Sequence, residues 1–186
     1  MKLNIFKDSV IIEEYENNKI YSRIKNILKN EQKNNKGRVI SNVSGFQTNN
    51  IKDQVIEKFI VSCFVDCIKN NYISKKSFDV RLRNFWINKN NPNSYNQDHI
   101  HPDTDFSGVY YLDVPKNSGN IYFKKYDLIK TNLSMLFSDS DFYTEFFIEN
   151  KKNQFIVFSS DYIHGVYENK SNKNRISLSF NISIVK

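Results

Sequence analysis

From residue 78 onwards, short runs rich in Val, Ile, Phe and Tyr alternate with turns that contain Asn, Asp, Pro and Gly. This alternation is typical of short strands joined by tight turns. The predicted strands are 78–88, 99–101, 107–113, 120–126, 142–148, 154–159, 163–168 and 175–185. So many short strands in one block predict a β-sandwich or jelly roll rather than a parallel α/β sheet.

Two helical stripes precede the strands. The first carries apolar residues at helical spacing from Ile20 to Leu28, and the second does so from Ile56 to Ile68. Two apolar runs within residues 3–15 predict a further strand pair. The fold class that follows is mainly β with flanking helices. At 186 residues, the chain is predicted to form one domain, with 1–77 as helical support and 78–186 as the β core.

The composition restricts the class of protein and its partners. Aromatic residues make up 15% of the chain, which is too many for a disordered protein. No apolar run approaches the ~18 residues of a membrane span, and residues 1–8 contain no apolar signal region. The net charge of +7 comes from basic residues spread along the chain, so it indicates no clear nucleic-acid site. Cys63 and Cys67 are interpreted as reduced core residues of a cytoplasmic protein.

The chain has three histidines, and two of them lie in one short segment. In a strand, His99, His101 and Asp103 would point to the same face, where two of them could bind one metal ion. Together with the distant His164, His101 and Asp103 would form the two-histidine, one-carboxylate set that binds Fe(II) and leaves coordination positions open. The pattern therefore predicts a metal site.

A second polar group lies on the last predicted strand, where Arg175 and Ser177 share a face. A guanidinium and a hydroxyl two residues apart can bind one carboxylate together. An arginine that points inward from an apolar strand is unfavourable unless it has an anionic partner. The strand therefore predicts an anion site.

Seven short stretches occur in an order that is specific to one enzyme family. They are 41–48, 86–88, 99–102, 107–112, 118–121, 158–164 and 175–181. They are spread over most of the chain, from residue 41 to residue 181. The chain resembles the 2-oxoglutarate- and Fe(II)-dependent oxygenases common in marine bacteria and bacteriophages, in the prolyl-hydroxylase-like superfamily. The resemblance implies a double-stranded β-helix (a jelly roll of cupin type), Fe(II), 2-oxoglutarate and O₂. It also implies a dioxygenase that hydroxylates a C–H bond and releases succinate and CO₂.

The resemblance leaves the third metal ligand open. His101 and Asp103 match the His-x-Asp pair of the superfamily, whereas the family's usual His-x-His-Pro pattern would make His99 and His101 the ligands, with Asp103 behind them. The span from residue 103 to 107 is short for a crossover between sheets, which favours His99. His101 and His164 belong to both interpretations.

The resemblance also assigns a cosubstrate contact. Tyr111, on the strand after the metal motif, is expected to hydrogen-bond the distal carboxylate of 2-oxoglutarate, together with Arg175 and Ser177. Tyr110 would face the other way. Trp86 is predicted to be a core residue rather than a substrate contact.

Two other classes of protein are compatible with the pattern. One is a cupin-like metal enzyme that does not use 2-oxoglutarate, and the other is a non-catalytic jelly-roll binding protein or phage structural protein. The first does not require Arg175 and Ser177 to face the cavity, and the second does not require three histidines at the spacing of a metal triad. A small-molecule or peptidyl substrate is expected, and the loops 89–98 and 124–143 are predicted to select it. No motif indicates its identity or the oligomeric state of the protein.

Overall fold

A computed structural model describes residues 8–138 and 143–185, and in these residues the chain forms three helices and eleven strands. The helices are α1 (Asn18–Asn34), α2 (Gln54–Asn71) and α3 (Leu128–Ser134). The strands are β1 (Ile11–Glu14), β2 (Asn42–Val43), β3 (Phe46–Gln47), β4 (Asp79–Asn90), β5 (Tyr95–His99), β6 (Phe106–Asp113), β7 (Ile121–Lys124), β8 (Glu145–Ile148), β9 (Gln154–Ser159), β10 (Ile163–Val166) and β11 (Arg175–Val185).

The strands form two antiparallel sheets. One has six strands in the order β1-β9-β6-β11-β4-β3, and the other has five in the order β2-β5-β10-β7-β8. The larger core cluster joins α1 and α2 to one face of the six-stranded sheet, while a smaller cluster, which includes Val109, Ile121 and Phe158, lies between the sheets. This arrangement confirms the predicted fold class of facing antiparallel sheets with flanking helices.

Successive side chains of β11 point alternately into the core and into the cavity. Ile176, Leu178 and Phe180 are fully or almost fully buried in the larger cluster beneath the helices. Arg175 and Ser177 point to the opposite face, into a cavity between the two sheets. One strand therefore supplies both core residues and site residues.

Helix α2 is held at its N-terminus by Asp53, whose side chain accepts hydrogen bonds from the backbone N–H groups of Val55 and Ile56. The helix buries Ile56, Ile60, Cys63, Phe64, Cys67 and Ile68. Both cysteines are free thiols, as the sequence predicts.

None of the helices in the described part of the chain combines the length and apolar character that a membrane span requires.

Several element predictions differ from the structure. Strands 154–159 and 175–185 agree with β9 and β11, but the strand predicted at 99–101 is instead β5, which ends at His99. The chain turns immediately afterwards at residues 102–103, where Asp103 has a φ of 65°. Of the strand pair predicted within 3–15, the structure shows β1, and residues 1–7 lie outside the described residues. Residue 142 of the predicted strand 142–148 also lies outside them.

The first 77 residues supply more than helical support. β1 pairs with β9, β2 with β5, and β3 with β4, so this part of the chain adds three strands to the two sheets. β2 and β3 have two residues each, which is too short to produce a hydrophobic period. α3 buries none of its residues, so it has no apolar stripe that would predict it.

Candidate metal and cosubstrate site

Two strands of the five-stranded sheet and the turn after one of them bring the three histidines together. His99 on β5 lies opposite His164 on β10 in the antiparallel register. His101 lies just beyond β5, where its backbone N–H donates to the carbonyl oxygen of Ser160. The ligand atoms that the three imidazoles offer all lie within 4.8 Å of one another. This grouping is compact enough for all three to contact one metal ion.

Hydrogen bonds and burial prepare these rings for metal binding. Nδ1 of His99 lies 2.7 Å from the carbonyl oxygen of Gln97, and Nδ1 of His164 lies 2.8 Å from that of Tyr162. Because a carbonyl oxygen only accepts, each Nδ1 carries the proton and each Nε2 presents its lone pair. Burial lowers the pKa of His164 to about 3 and that of His101 to about 4, and it also lowers the pKa of His99. All three rings are therefore neutral at neutral pH, which is the form that binds metals.

Asp103 does not join the three histidines. It is exposed, its φ of 65° belongs to a turn, and it is not part of the metal-ligating group that the described residues form. The expectation that His99, His101 and Asp103 share one strand face does not hold beyond His99, because β5 ends there and Pro102 begins a turn.

Arg175 lies deep in the same cavity and is 1% exposed. Its Nη1 donates to the carbonyl oxygens of Ser118 and Gly119, at 2.6 Å each, while its buried Nε has no hydrogen-bond partner. None of the ion pairs among the described residues involves this guanidinium. Burial lowers the pKa of Arg175, yet an arginine in a protein remains charged. The site therefore contains a buried positive charge that is not balanced by a carboxylate of the described chain.

The approach of the 118–119 turn to Arg175 depends on Gly119. This residue has a φ of 86°, and a Cβ there would collide with the backbone carbonyl of Tyr167 and lie 3.0 Å from Nη1 of Arg175. A side chain at this position would displace the turn that holds the guanidinium.

Tyr111 and Ser177 lie beside Arg175 and line the same cavity. They are opposite each other on β6 and β11. Burial raises the pKa of Tyr111 to about 12, so its hydroxyl keeps its proton and can donate to an anion. Tyr110 points to the opposite face, where its hydroxyl donates to the backbone oxygen of Tyr15 at 2.8 Å, as the alternation predicts.

The cavity also contains polar residues that the sequence analysis did not assign. They are Ser41, Gln47, Asn88, Asn90, Asn96 and Ser179. Segment 41–48 belongs to the family pattern, but that pattern assigns no role to Gln47. The prediction for Trp86 was wrong, because its half-buried ring lines the cavity, with its centroid 5.8 Å from that of His101.

These groups fit a divalent metal ion and an organic anion. Three neutral imidazoles can bind one side of a transition-metal ion and leave the other side open. Three buried polar atoms in and beside the cavity lack a hydrogen-bond partner among the described residues, namely Asn88 Oδ1, Ser118 Oγ and Arg175 Nε. Buried polar atoms without a partner are rare in folded proteins, so a ligand that supplies the missing bonds is expected here.

Comparisons with known proteins agree with this description. A family model described as "Putative 2OG-Fe(II) oxygenase" matches residues 84–181. None of the curated proteins matches the chain. Among solved structures, an oxidoreductase of the 2OG-Fe(II) oxygenase family from Burkholderia pseudomallei has a TM-score of 0.64 at 13% identity, over 94% of this chain and 84% of its own.

Two further solved structures are similar in fold. A prolyl-4-hydroxylase from Pseudomonas putida has a TM-score of 0.60 at 11% identity, over 95% of this chain and 92% of its own. HygX from Streptomyces hygroscopicus, with nickel, 2-oxoglutarate and hygromycin B bound, has a TM-score of 0.64 at 8% identity, over 95% of this chain and 83% of its own.

Proposed function

The chain belongs to the family of 2OG-Fe(II) oxygenases, and from this membership we propose which of its residues perform the reaction. It is an oxygenase that depends on iron and 2-oxoglutarate. His99, His101 and His164 hold Fe(II), because they form the one metal-ligating group found among the described residues. His99 takes the third position rather than Asp103, which is exposed in the turn after the metal motif.

The distal carboxylate of 2-oxoglutarate binds to Arg175, Ser177 and Tyr111. The observation that carries this assignment is the buried Arg175, whose Nε lacks a partner, in the same cavity as the three histidines. A carboxylate there would balance the charge and accept the missing hydrogen bond. The complex of the structurally similar HygX with nickel and 2-oxoglutarate supports the pairing of a metal and this cosubstrate within one such fold.

When bound, Fe(II) supplies the oxidation of a substrate C–H bond by O₂, coupled to conversion of 2-oxoglutarate to succinate and CO₂. The side chains of the protein position the metal and the cosubstrate, and Arg175 supplies a positive charge. The three neutral imidazoles would hold the metal without compensating its positive charge, so the cavity would attract the dianionic cosubstrate. Arg175 fixes the far end of that cosubstrate, and Tyr111 remains protonated as a donor to the same carboxylate.

We propose that the reaction is hydroxylation of a small-molecule or peptidyl substrate in the cytoplasm. The similar structures include both a prolyl-4-hydroxylase and HygX with hygromycin B bound, so the fold is compatible with a peptidyl or a small-molecule substrate. The free thiols Cys63 and Cys67 support a reducing compartment. An origin in marine bacteria or bacteriophages remains a prediction from the resemblance.

The direct test is Fe(II)-dependent formation of succinate from 2-oxoglutarate by the purified protein in air. The parent protein is expected to form succinate above the metal-free background, and His164→Ala is expected to lose this activity. Lys170→Ala, at an exposed position, serves as the matched control. A parent protein that binds Fe(II) but never consumes 2-oxoglutarate would favour the alternative of a cupin-like metal enzyme, and one that binds neither would favour a non-catalytic jelly roll.

A further inference from the structure

A row of four polar side chains crosses the cavity face of the six-stranded sheet. Tyr111, Ser177, Asn88 and Gln47 lie opposite one another on β6, β11, β4 and β3. Because adjacent strands are about 4.8 Å apart, the row extends over roughly 14 Å. All four residues line the cavity that contains the histidines.

The two halves of this row have different chemistry. Tyr111 and Ser177 lie beside the charged Arg175, and the proposed function uses them for the cosubstrate. Asn88 and Gln47 form the other half, which we call the amide pair. Their side chains are uncharged, with Asn88 9% and Gln47 4% exposed. The amide pair therefore provides a neutral polar surface on the β3 side of the cavity.

The amide of Asn88 has unused hydrogen-bonding capacity. Its Nδ2 donates to Oγ of Ser179 at 2.9 Å, while its buried Oδ1 has no partner. If the amide were rotated by 180°, Oδ1 would face Ser179. The hydroxyl of Ser179 can donate as well as accept, so it would then donate to Oδ1, and Nδ2 would lose its partner. In either orientation one polar atom of the amide remains without a partner. Such an atom is unfavourable in a folded protein unless a ligand completes its bonding.

An apolar surface lies next to the amide pair and near the metal ligands. Trp86 is two residues from Asn88 on the same strand face, which corresponds to about 6.8 Å along β4. Its ring centroid is 5.8 Å from that of His101. A molecule whose polar group contacts Asn88 could therefore place a carbon atom beside the metal, with its hydrocarbon part against the indole ring.

Charge restricts what this molecule can be. Arg175 is the one side chain that carries a charge at neutral pH among the described residues that line the cavity. The cosubstrate uses that charge. An ammonium group on the substrate would find no carboxylate among these side chains, and a carboxylate on the substrate would find no cationic side chain left free to pair with it.

We propose that Asn88 and Gln47 bind the primary substrate through a neutral hydrogen-bonding group, a carboxamide or a hydroxyl, while Trp86 contacts its hydrocarbon part. This inference rests on the proposed function and names the substrate class of the same site. Asn88 and Gln47 are then the residues that determine specificity, and they discriminate against charged analogues of the same shape.

The first experiment compares four matched probes at saturating 2-oxoglutarate, so that Arg175 is occupied. Pentanamide and 1-pentanol carry neutral polar groups, whereas pentanoate and pentylamine carry charges on similar chains. The neutral probes are expected to increase Fe(II)-dependent succinate formation more than the charged probes do. Equal responses, a larger response to either charged probe, or no response to the neutral probes would overturn the inference.

The second experiment uses Asn88→Leu and Gln47→Leu, with Gln32→Leu on the exposed side of α1 as the matched control. Both cavity variants are expected to lose the preference for neutral probes, and the control is expected to keep it. Titration of anaerobic Fe(II) protein with 2-oxoglutarate, followed by metal-to-ligand charge-transfer absorption, is expected to give affinities within about threefold of the parent, which is less than 1 kcal/mol.

The same titration separates failure of this inference from failure of the proposed function. If Asn88→Leu and Gln47→Leu weakened 2-oxoglutarate binding about tenfold or more, the amide pair would belong to the cosubstrate site and the inference would be wrong. If the parent bound 2-oxoglutarate but responded to charged probes, the inference alone would fail. If the parent did not bind 2-oxoglutarate, the proposed function would fail and the inference would fail with it.

Discussion

His99 and His164 lie directly opposite each other on the antiparallel strands β5 and β10, with their ring centroids 4.3 Å apart. Their relative position is therefore set by strand pairing rather than by a flexible loop. The hydrogen bonds from each Nδ1 to a backbone carbonyl oxygen two residues earlier also fix the ring orientations. Changes that shift either strand are expected to alter metal binding without removing a ligand.

Gly165→Ala is expected to weaken iron binding. A Cβ at this position would collide with the hydroxyl of Tyr122 and lie 2.9 Å from the backbone oxygen of Asn96, so β10 would have to move away from β5. Iron stoichiometry after equilibrium dialysis is the measurement, with the exposed Glu168→Ala as the control. Full iron occupancy at the parent's affinity would show that the position of β10 does not limit binding.

Substitution of the candidate ligands tests the choice between His99 and Asp103. His99→Ala, His101→Ala and His164→Ala are each expected to lose stoichiometric Fe(II), because each removes one of three ligands. Asp103→Asn removes a charge but suits the positive φ at this position, so it is expected to keep full iron. Iron content after anaerobic desalting distinguishes the variants. Loss of iron in Asp103→Asn, together with retention in His99→Ala, would reverse the assignment.

Phe64→Ala is expected to lower the free energy of unfolding by ~3–5 kcal/mol, because it removes a fully buried aromatic ring. Phe64 is 0% exposed and makes an edge contact with Phe106 at a centroid distance of 5.4 Å. Denaturant unfolding measures the change, with the half-exposed Val55→Ala on the same helix as the control. A loss below ~1 kcal/mol in Phe64→Ala would indicate that α2 contributes little to the core.

Much of the fold was predictable because its signals are local. The alternation along 175–185 predicted both the bounds of β11 and the face that carries Arg175 and Ser177. The helical stripe from Ile56 to Ile68 predicted which face of α2 is buried. These features depend on the period of the side chains, which the sequence contains directly.

The remaining features depend on contacts between distant segments. Gln47 reaches the cavity because β3 pairs with β4, and a strand of two residues has no period that would reveal this pairing. Asp103 was a candidate ligand because the spacing His-x-Asp fits one strand face, and the turn after His101 removes it from that face. Trp86 lies beside His101 because the two sheets face each other, and the sequence pattern does not give the relative placement of the sheets.

Anaerobic titration of the Fe(II) protein with 2-oxoglutarate, followed by charge-transfer absorption, tests the central claim most directly. The parent protein is expected to bind 2-oxoglutarate. Arg175→Lys is expected to bind more weakly, since lysine keeps the charge but loses the planar pair of donors, while iron binding stays intact. Arg175→Ala is expected to lose roughly 2–5 kcal/mol of binding free energy, and Ser177→Ala about 0.5–1.5 kcal/mol. Parent-like 2-oxoglutarate affinity in Arg175→Ala would contradict the assignment of this buried guanidinium as the cosubstrate anchor.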